Sequence, residues 1–160
     1  MNKHWMAWAL LACAGLAQAE VKVSFTEPEK FTDIRGNSGF NRPEVLGELE
    51  AQLRKQAEKY LPGREVVLEV TDVDLAGEVE PIWRSGQWLR LLRDVTLPAI
   101  SLKYEVREQG QVVRQGEMRM RDLGYRDGFN RYPESDPLRY ERRMIDRSFE
   151  KEFGAPAAKP

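Results

Sequence analysis

Ile100-Ser-Leu-Lys-Tyr-Glu-Val-Arg-Glu-Gln-Gly110, followed by Gln111-Val-Val-Arg-Gln-Gly-Glu-Met-Arg-Met120, decides the fold. The first half puts Ile100, Leu102, Tyr104 and Val106 on one side of an extended chain. Ser101, Lys103, Glu105 and Arg107 fall on the other. Alternation with a period of two marks a strand with one buried and one wet face. Gln109-Gly110 is the turn, and Val112 to Met120 returns as the partner strand. Arg114 falls in the inward phase of that return, so a bulge or an edge position is expected near Gly116. A lone hairpin buries too little apolar surface to persist, so something must cover this one.

The cover is found on both sides. Upstream, Asn41 is an N-cap, with Glu44 three residues on as its capping-box partner and Pro43 tolerated in the first turn. The helix runs to about Leu61 and presents Val45, Leu46, Leu49, Leu53, Ala57 and Tyr60 on one face. Pro62-Gly63 ends it. Downstream, Asp136 caps a last helix with Pro137 at its first position. Leu138, Ile145, Phe149 and Phe153 line its stripe, with Tyr140 and Met144 beside it. Two further strands follow from Val21, Val23 and Phe25 and from Val66, Leu68 and Val70. Residues 26–40 read as loop, 76–98 as irregular, and 122–135 as a polar loop.

The order is β-α-β-β-β-α. It predicts an α+β fold, a two-layer sandwich of about four mostly antiparallel strands with two amphipathic helices on one face. With no internal repeat or linker, residues 20–153 read as a single α+β domain and 154–160 as a disordered tail.

Residues 1–19 read as a cleaved signal peptide. Lys3 gives a positive start, Trp5 to Leu16 is a short apolar run, and Ala17-Gln18-Ala19 is a small-x-small cleavage site before Glu20. The run is too short to span a bilayer. A rival reading takes Leu10-Leu11-Ala12-Cys13 as a lipobox, which would make Cys13 a lipidated first residue. The segment holds the chain's only cysteine, Cys13, and its only histidine, His4. Cleavage at Ala19 therefore removes disulfides, Cys-His zinc sites, thiolate nucleophiles and histidine bases together. Taking 19 from 160 residues leaves 141, with 24 basic and 26 acidic side chains. That balance argues against nucleic-acid binding, which wants a basic patch or stripe.

Four segments then carry a resemblance. They are Phe25-Thr-Glu-Pro-Glu-Lys-Phe-Thr-Asp33, Thr71-Asp-Val-Asp-Leu-Ala-Gly-Glu78, Leu89-Arg90 leading to Pro98-Ala-Ile-Ser-Leu-Lys-Tyr104, and Tyr140-Glu-Arg-Arg-Met144. Together they resemble the domain of unknown function 3016 family of exported proteobacterial proteins, over nearly the whole mature chain. The resemblance implies an envelope location and a shared fold; it brings no activity and no catalytic residue.

Candidate sites follow from residue types. Asp72, Asp74, Glu78 and Glu80 form an acidic strand end, and alternate aspartates share a face. They do not make an EF-hand, because Trp83 stands where the bidentate glutamate belongs and Ala76 where an early ligand belongs. No metal and no cofactor is expected. The aspartates are expected instead to accept backbone N–H groups, with Arg90 or Arg93 as partners. Asp33, Asp72, Asp74 and Glu78 are the carboxylates that a glycosidic acid-base pair would draw on. Ser101 and Lys103 share a strand face, as a Ser-Lys dyad would. Trp83 and Trp88, with Leu89, Leu91, Leu92, Arg84, Arg90 and Arg93, make the densest aromatic stretch. It reads either as an interface anchor or as a loop folded over the open face of the sheet. Tyr125, Phe129 and Tyr132, interleaved with Arg126 and Arg131, suit either a stacking surface for sugars or bases or a loop packed over the last helix.

With imidazole and thiol gone, and no phosphate loop or nucleophile motif, binding is the expected role, non-catalytic and accessory. The binding residues expected are Trp83, Trp88, Arg90, Asp72, Asp74 and Glu78. The expected partner is an envelope protein or a cell-wall polymer, with membrane-surface contact open and the location periplasmic or secreted. The alternatives are a carboxylate-dependent hydrolase of an envelope polysaccharide and a lipid-anchored structural accessory.

Overall fold

The computed structural model describes residues 20–34, 41–82 and 88–154. The expected signal segment with His4 and Cys13, the turn at Gly36 to Gly39, Trp83, Arg84 and residues 155–160 lie outside the described residues. Among the described residues no helix is long and apolar enough to cross a membrane.

The architecture is α+β, with two helices and four strands in the main sheet. Strand β1 is Val21–Phe25, helix α1 is Arg42–Tyr60 and strand β2 is Glu65–Asp74. A small hairpin follows, β3 at Glu78–Pro81 and β4 at Trp88–Leu91. Strands β5, Ala99–Glu108, and β6, Gln111–Arg121, form the long hairpin, and helix α2 is Arg139–Phe153. The sheet order is β1-β2-β5-β6. β1 runs parallel to β2 and the other neighbours are antiparallel. A parallel pair needs a crossover, and α1 is that crossover.

Both helices lie on one face of the sheet. Val66, Leu68, Val70, Val73, Leu75, Ile100, Leu102, Tyr104, Val106, Met118 and Met120 meet Leu49, Leu53, Ala57, Met144, Ile145 and Phe149 in one buried cluster. The other face is polar and forms a shallow groove along Val67, Glu69, Lys103, Glu105, Gln115 and Glu117.

Two bulges set the phase. In β2, Val70 faces Leu102 and Asp72 faces Ser101, which leaves Thr71 as the extra residue. The extra step returns Val73 and Leu75 to the core side and turns Asp72 and Asp74 to the wet side together. In β6, Val106 faces Arg114 and Arg107 faces Val112, so the extra residue is Val113 rather than one near Gly116. Gly116 has another duty. A Cβ there would lie 2.9 Å from the Tyr104 hydroxyl oxygen, so its lack of a side chain is what lets the ring lie flat. Arg114 keeps its inward phase by capping the core: its guanidinium lies over Phe153 and Tyr104 and donates to the Glu152 carbonyl and carboxylate at 2.9 and 2.7 Å.

The helix starts differ from expectation in detail. The Asn41 side chain makes no capping bond; its carbonyl accepts the Val45 N–H at 3.0 Å. Asp136 sits one turn ahead of α2, where its carboxylate accepts the Leu138 N–H at 2.8 Å and the helix begins at Arg139. The stretch 76–98, expected to be irregular, contains the β3–β4 hairpin. Its four-residue strands, one ending in a proline, are too short and too mixed in polarity for alternation to reveal them. The hairpin forms its own two-stranded sheet and leaves the open face of the main sheet to the polar groove.

Candidate functional site

The expected binding residues gather where β2 runs out and the small hairpin begins. Asp72 closes the loop after β1: its two carboxylate oxygens accept the Thr32 N–H at 2.8 Å and the Thr32 hydroxyl at 3.0 Å. Gly77 turns the chain with φ near 81°, and a Cβ there would lie 2.5 Å from the Leu91 carbonyl oxygen. Only glycine meets both demands without strain. Glu78 and Glu80 then clasp Arg93, each at 2.5 Å.

Arg90 holds the hairpin to the body. Its Nε donates to the Ala76 carbonyl at 2.5 Å, one terminal nitrogen to the Pro137 carbonyl, and the other to Glu141 at 2.6 Å. Glu141 is fully buried and also accepts the Ala76 N–H at 2.8 Å. A charge so deep is tolerated only when it is paired and hydrogen-bonded, and Arg90 supplies the pair. Arg90 therefore serves as the hairpin's anchor. On β4 Trp88 is 53% exposed and Leu89 48%, one on each face of the strand, with Ile82 also exposed. Trp83 lies outside the described residues.

Beside the hairpin is a cavity of about 350 Å³ lined by Thr32, Asp33, Asp74, Gly77, Glu78, Thr96, Arg119 and Arg121, among others. The register explains its charge. On the wet face one row reads Asp74, Ala99, Arg121 across β2, β5 and β6, and the next reads Asp72, Ser101, Arg119. Partial burial pushes the Asp74 carboxyl up to about 6, helped by the Asp33 and Asp72 charges and opposed by Arg121. Burial likewise raises the Asp33 carboxyl, against the pull of the Leu75 N–H that it accepts at 3.2 Å. Among the described residues no group of three or more His, Cys, Asp or Glu is placed to hold a metal ion. Ser101 and Lys103 share the wet face of β5.

The aromatic loop after β6 is not a common stacking surface. Tyr125 is buried, donates to the Arg93 carbonyl at 2.8 Å and meets Tyr140 edge-on at 5.0 Å. Tyr132 joins a polar knot between the helices, where Gln52 donates to Tyr132 at 2.8 Å and to Asp146 at 2.6 Å, and Arg131 binds Asp146 at 2.5 Å. Of the three rings only Phe129 stands in solvent.

Two functional groups escaped the sequence. Arg119 and Arg121 enter the site only through the β5–β6 register, and outward alternation on β6 was their sole signal. Arg143 is the other. Almost fully buried, it donates to the carbonyls of Asp127, Gly124 and Tyr125 and to the Asp122 carboxylate, and so shapes the whole loop from 122 to 129.

A family model described as "Protein of unknown function (DUF3016)" matches residues 19–151. No curated protein and no solved structure matches.

Proposed function

We propose, from the premise that the chain belongs to the DUF3016 family, which carries no assigned activity, that it is an exported binding protein of the cell envelope. Its partner on this reading is an envelope protein, seated on the β3–β4 hairpin. One observation carries the reading: Trp88 and Leu89 are held about half exposed on a hairpin that Arg90 ties to three points of the body. Tryptophan is a favoured interface anchor. An anchor already fixed in place loses less freedom when a partner arrives, so more of its contact energy survives as affinity.

The test is a photo-crosslinking residue at position 89 of the full chain in intact cells, with the exposed Lys55 position as control. A discrete protein adduct that vanishes in Trp88→Ala supports the reading. A ladder of glycan adducts assigns the surface to a cell-wall polymer instead, and labelling no stronger than at position 55 ends it. Arg90 stays intact in this experiment because its loss would unfasten the hairpin. Intact mass of the exported chain separates a Glu20 start from an acylated Cys13.

A hydrolase reading draws on one observation, the Asp74 carboxyl held near 6 beside Asp33. Acid-base pairs work by environments that push two carboxyls apart in acidity. Here burial raises both, which favours binding over bond cleavage.

A further inference from the structure

Asp74 and the two arginines opposite it form a set of charges without internal partners. Among the described arginines, all but Arg119 and Arg121 have an ion pair or a hydrogen bond; these two have neither, apart from the pull Arg121 exerts on Asp74 through space. Among the described residues no donor reaches the Asp74 carboxylate. β5 separates them and presents only Ala99 and Ser101 in the two rows. Two strand spacings put β2 and β6 roughly 10 Å apart. Small residues in the middle turn that gap into a trough with a negative wall and a positive wall.

The two walls differ in what they offer. Arg119 and Arg121 stand two apart on one strand, share its wet face and both line the cavity, a spacing that lets two guanidinium forks serve a single carboxylate. Asp74, with Asp33 behind it, lacks a donor, and an ammonium group would supply one. Burial, with the Asp33 and Asp72 charges beside it, raises the Asp74 pKa, and no bonded donor offsets the rise. The ligand must therefore carry opposite charges with a spacer between them. An α-amino acid is too short for a trough of this width, whereas an extended dipeptide reaches. The cavity's 350 Å³ lies at the small end of the roughly 300–1,000 Å³ range of ligand pockets.

We infer that this trough binds short zwitterionic peptides, with the terminal carboxylate on Arg119 and Arg121 and the terminal ammonium on Asp74. The site shares Gly77 and Glu78 with the base of the hairpin but not Trp88 or Leu89, and it does not depend on a partner being bound there.

The experiment titrates alanylalanine into the full isotope-labelled chain and follows amide shifts by NMR. Saturable shifts at Gly77, Ala99 and Ser101 are expected, with a dissociation constant on the order of millimolar. N-acetylation or C-amidation of the probe should weaken binding at least about tenfold, since each removes one charge from a desolvated pair. Asp74→Asn and Arg121→Gln should each do the same for the unmodified probe, while Trp88→Ala leaves it unchanged. The blocked probes test the idea on the unaltered chain, so a variant that misfolds does not decide the matter. Absence of saturable shifts, or equal affinity for either blocked probe, overturns the assignment.

Discussion

At the end of β2 the Asp74 carboxyl is partly buried near the Asp33 and Asp72 charges, and burial first, then those charges, raise its pKa to about 6. The unfolded chain releases the same proton near ~3.9. A group whose folded value is raised stabilises the fold while protonated, so its contribution is complete below about pH 4 and lost as pH climbs through about 6. Above that the fold carries an unpartnered negative charge. Replacing Asp74 by Asn removes this penalty. The variant should be more stable than the parent at about pH 7.5 by on the order of 1 kcal/mol, a value reduced from the full shift because the group is half solvated. At about pH 4 the two should nearly coincide. Urea unfolding at the two pH values measures the difference, and a parent that gains stability over the Asp74→Asn variant as pH rises between them would contradict the account.

Helix α2 shows how one element can organise several others. Tyr140 packs on Tyr125, Glu141 meets Arg90 and the end of β2, and Met144 enters the core. Arg142 reaches Glu48 and Gln52 on α1, and Arg143 gathers the loop after β6. Five successive side chains thus address four parts of the fold: the small hairpin with the end of β2, helix α1, the core and the loop after β6. Arg143 is the most demanding of them. Replacing it with Leu leaves the Asp122 carboxylate and the carbonyls of Gly124, Tyr125, Asp127 and Phe129 short of a donor, at a cost of about 3–5 kcal/mol. Lysine should not rescue it, because one ammonium cannot replace a planar fork spread over five acceptors. Hydrogen exchange should show protection lost first across residues 122–131 in both variants. Protection lost evenly over the sheet would mean that Arg143 matters only for global stability.

The elements themselves were largely legible. Alternation gave the β5–β6 hairpin, and helical spacing gave α1 and α2, because each buries a single continuous face. The position of the bulge at Val113 and the small hairpin were not, because each depends on a neighbour distant in sequence, and neither was the start of α2, which a local turn delays. Tyr104 needs the space at Gly116, Glu141 needs Arg90, and Asp136 serves a turn ahead of the helix.

For the molecule as a whole the candidate site was half legible. The string from Asp72 to Glu78 announced carboxylates on one face, and its local spacing was enough for that. Their division of labour was hidden. Thr32 occupies Asp72 and Arg93 occupies Glu78, and this leaves Asp74 alone to face β6. Without the Thr71 bulge the row of Asp74, Ala99 and Arg121 does not line up, and the sequence marks that bulge only by the change of apolar phase from Val66, Leu68 and Val70 to Val73 and Leu75.

The same long-range dependence makes the Arg90–Glu141 pair the joint between hairpin and body, and a double-mutant cycle resolves its role. Arg90→Met leaves the fully buried Glu141 carboxylate with the Ala76 N–H as its remaining bonded donor, one of its two oxygens already having none. An abandoned buried charge costs about 3–5 kcal/mol. Glu141→Met leaves Arg90 partly solvated, since its side chain is 16% exposed and keeps two carbonyl acceptors. That variant should suffer less. The double replacement removes both charges and should be more stable than Arg90→Met alone, giving a coupling of at least about 1 kcal/mol between the sites. Urea unfolding of the four chains supplies the cycle, and amide exchange at residues 78–81 and 88–91 locates the damage. In Arg90→Met those amides should exchange faster while β5 keeps its protection, because the hairpin forms its own sheet and its tie to the core is what has been cut. Additive effects across the cycle, or a hairpin that stays as protected as β5, would show that some other contact holds Trp88 in place.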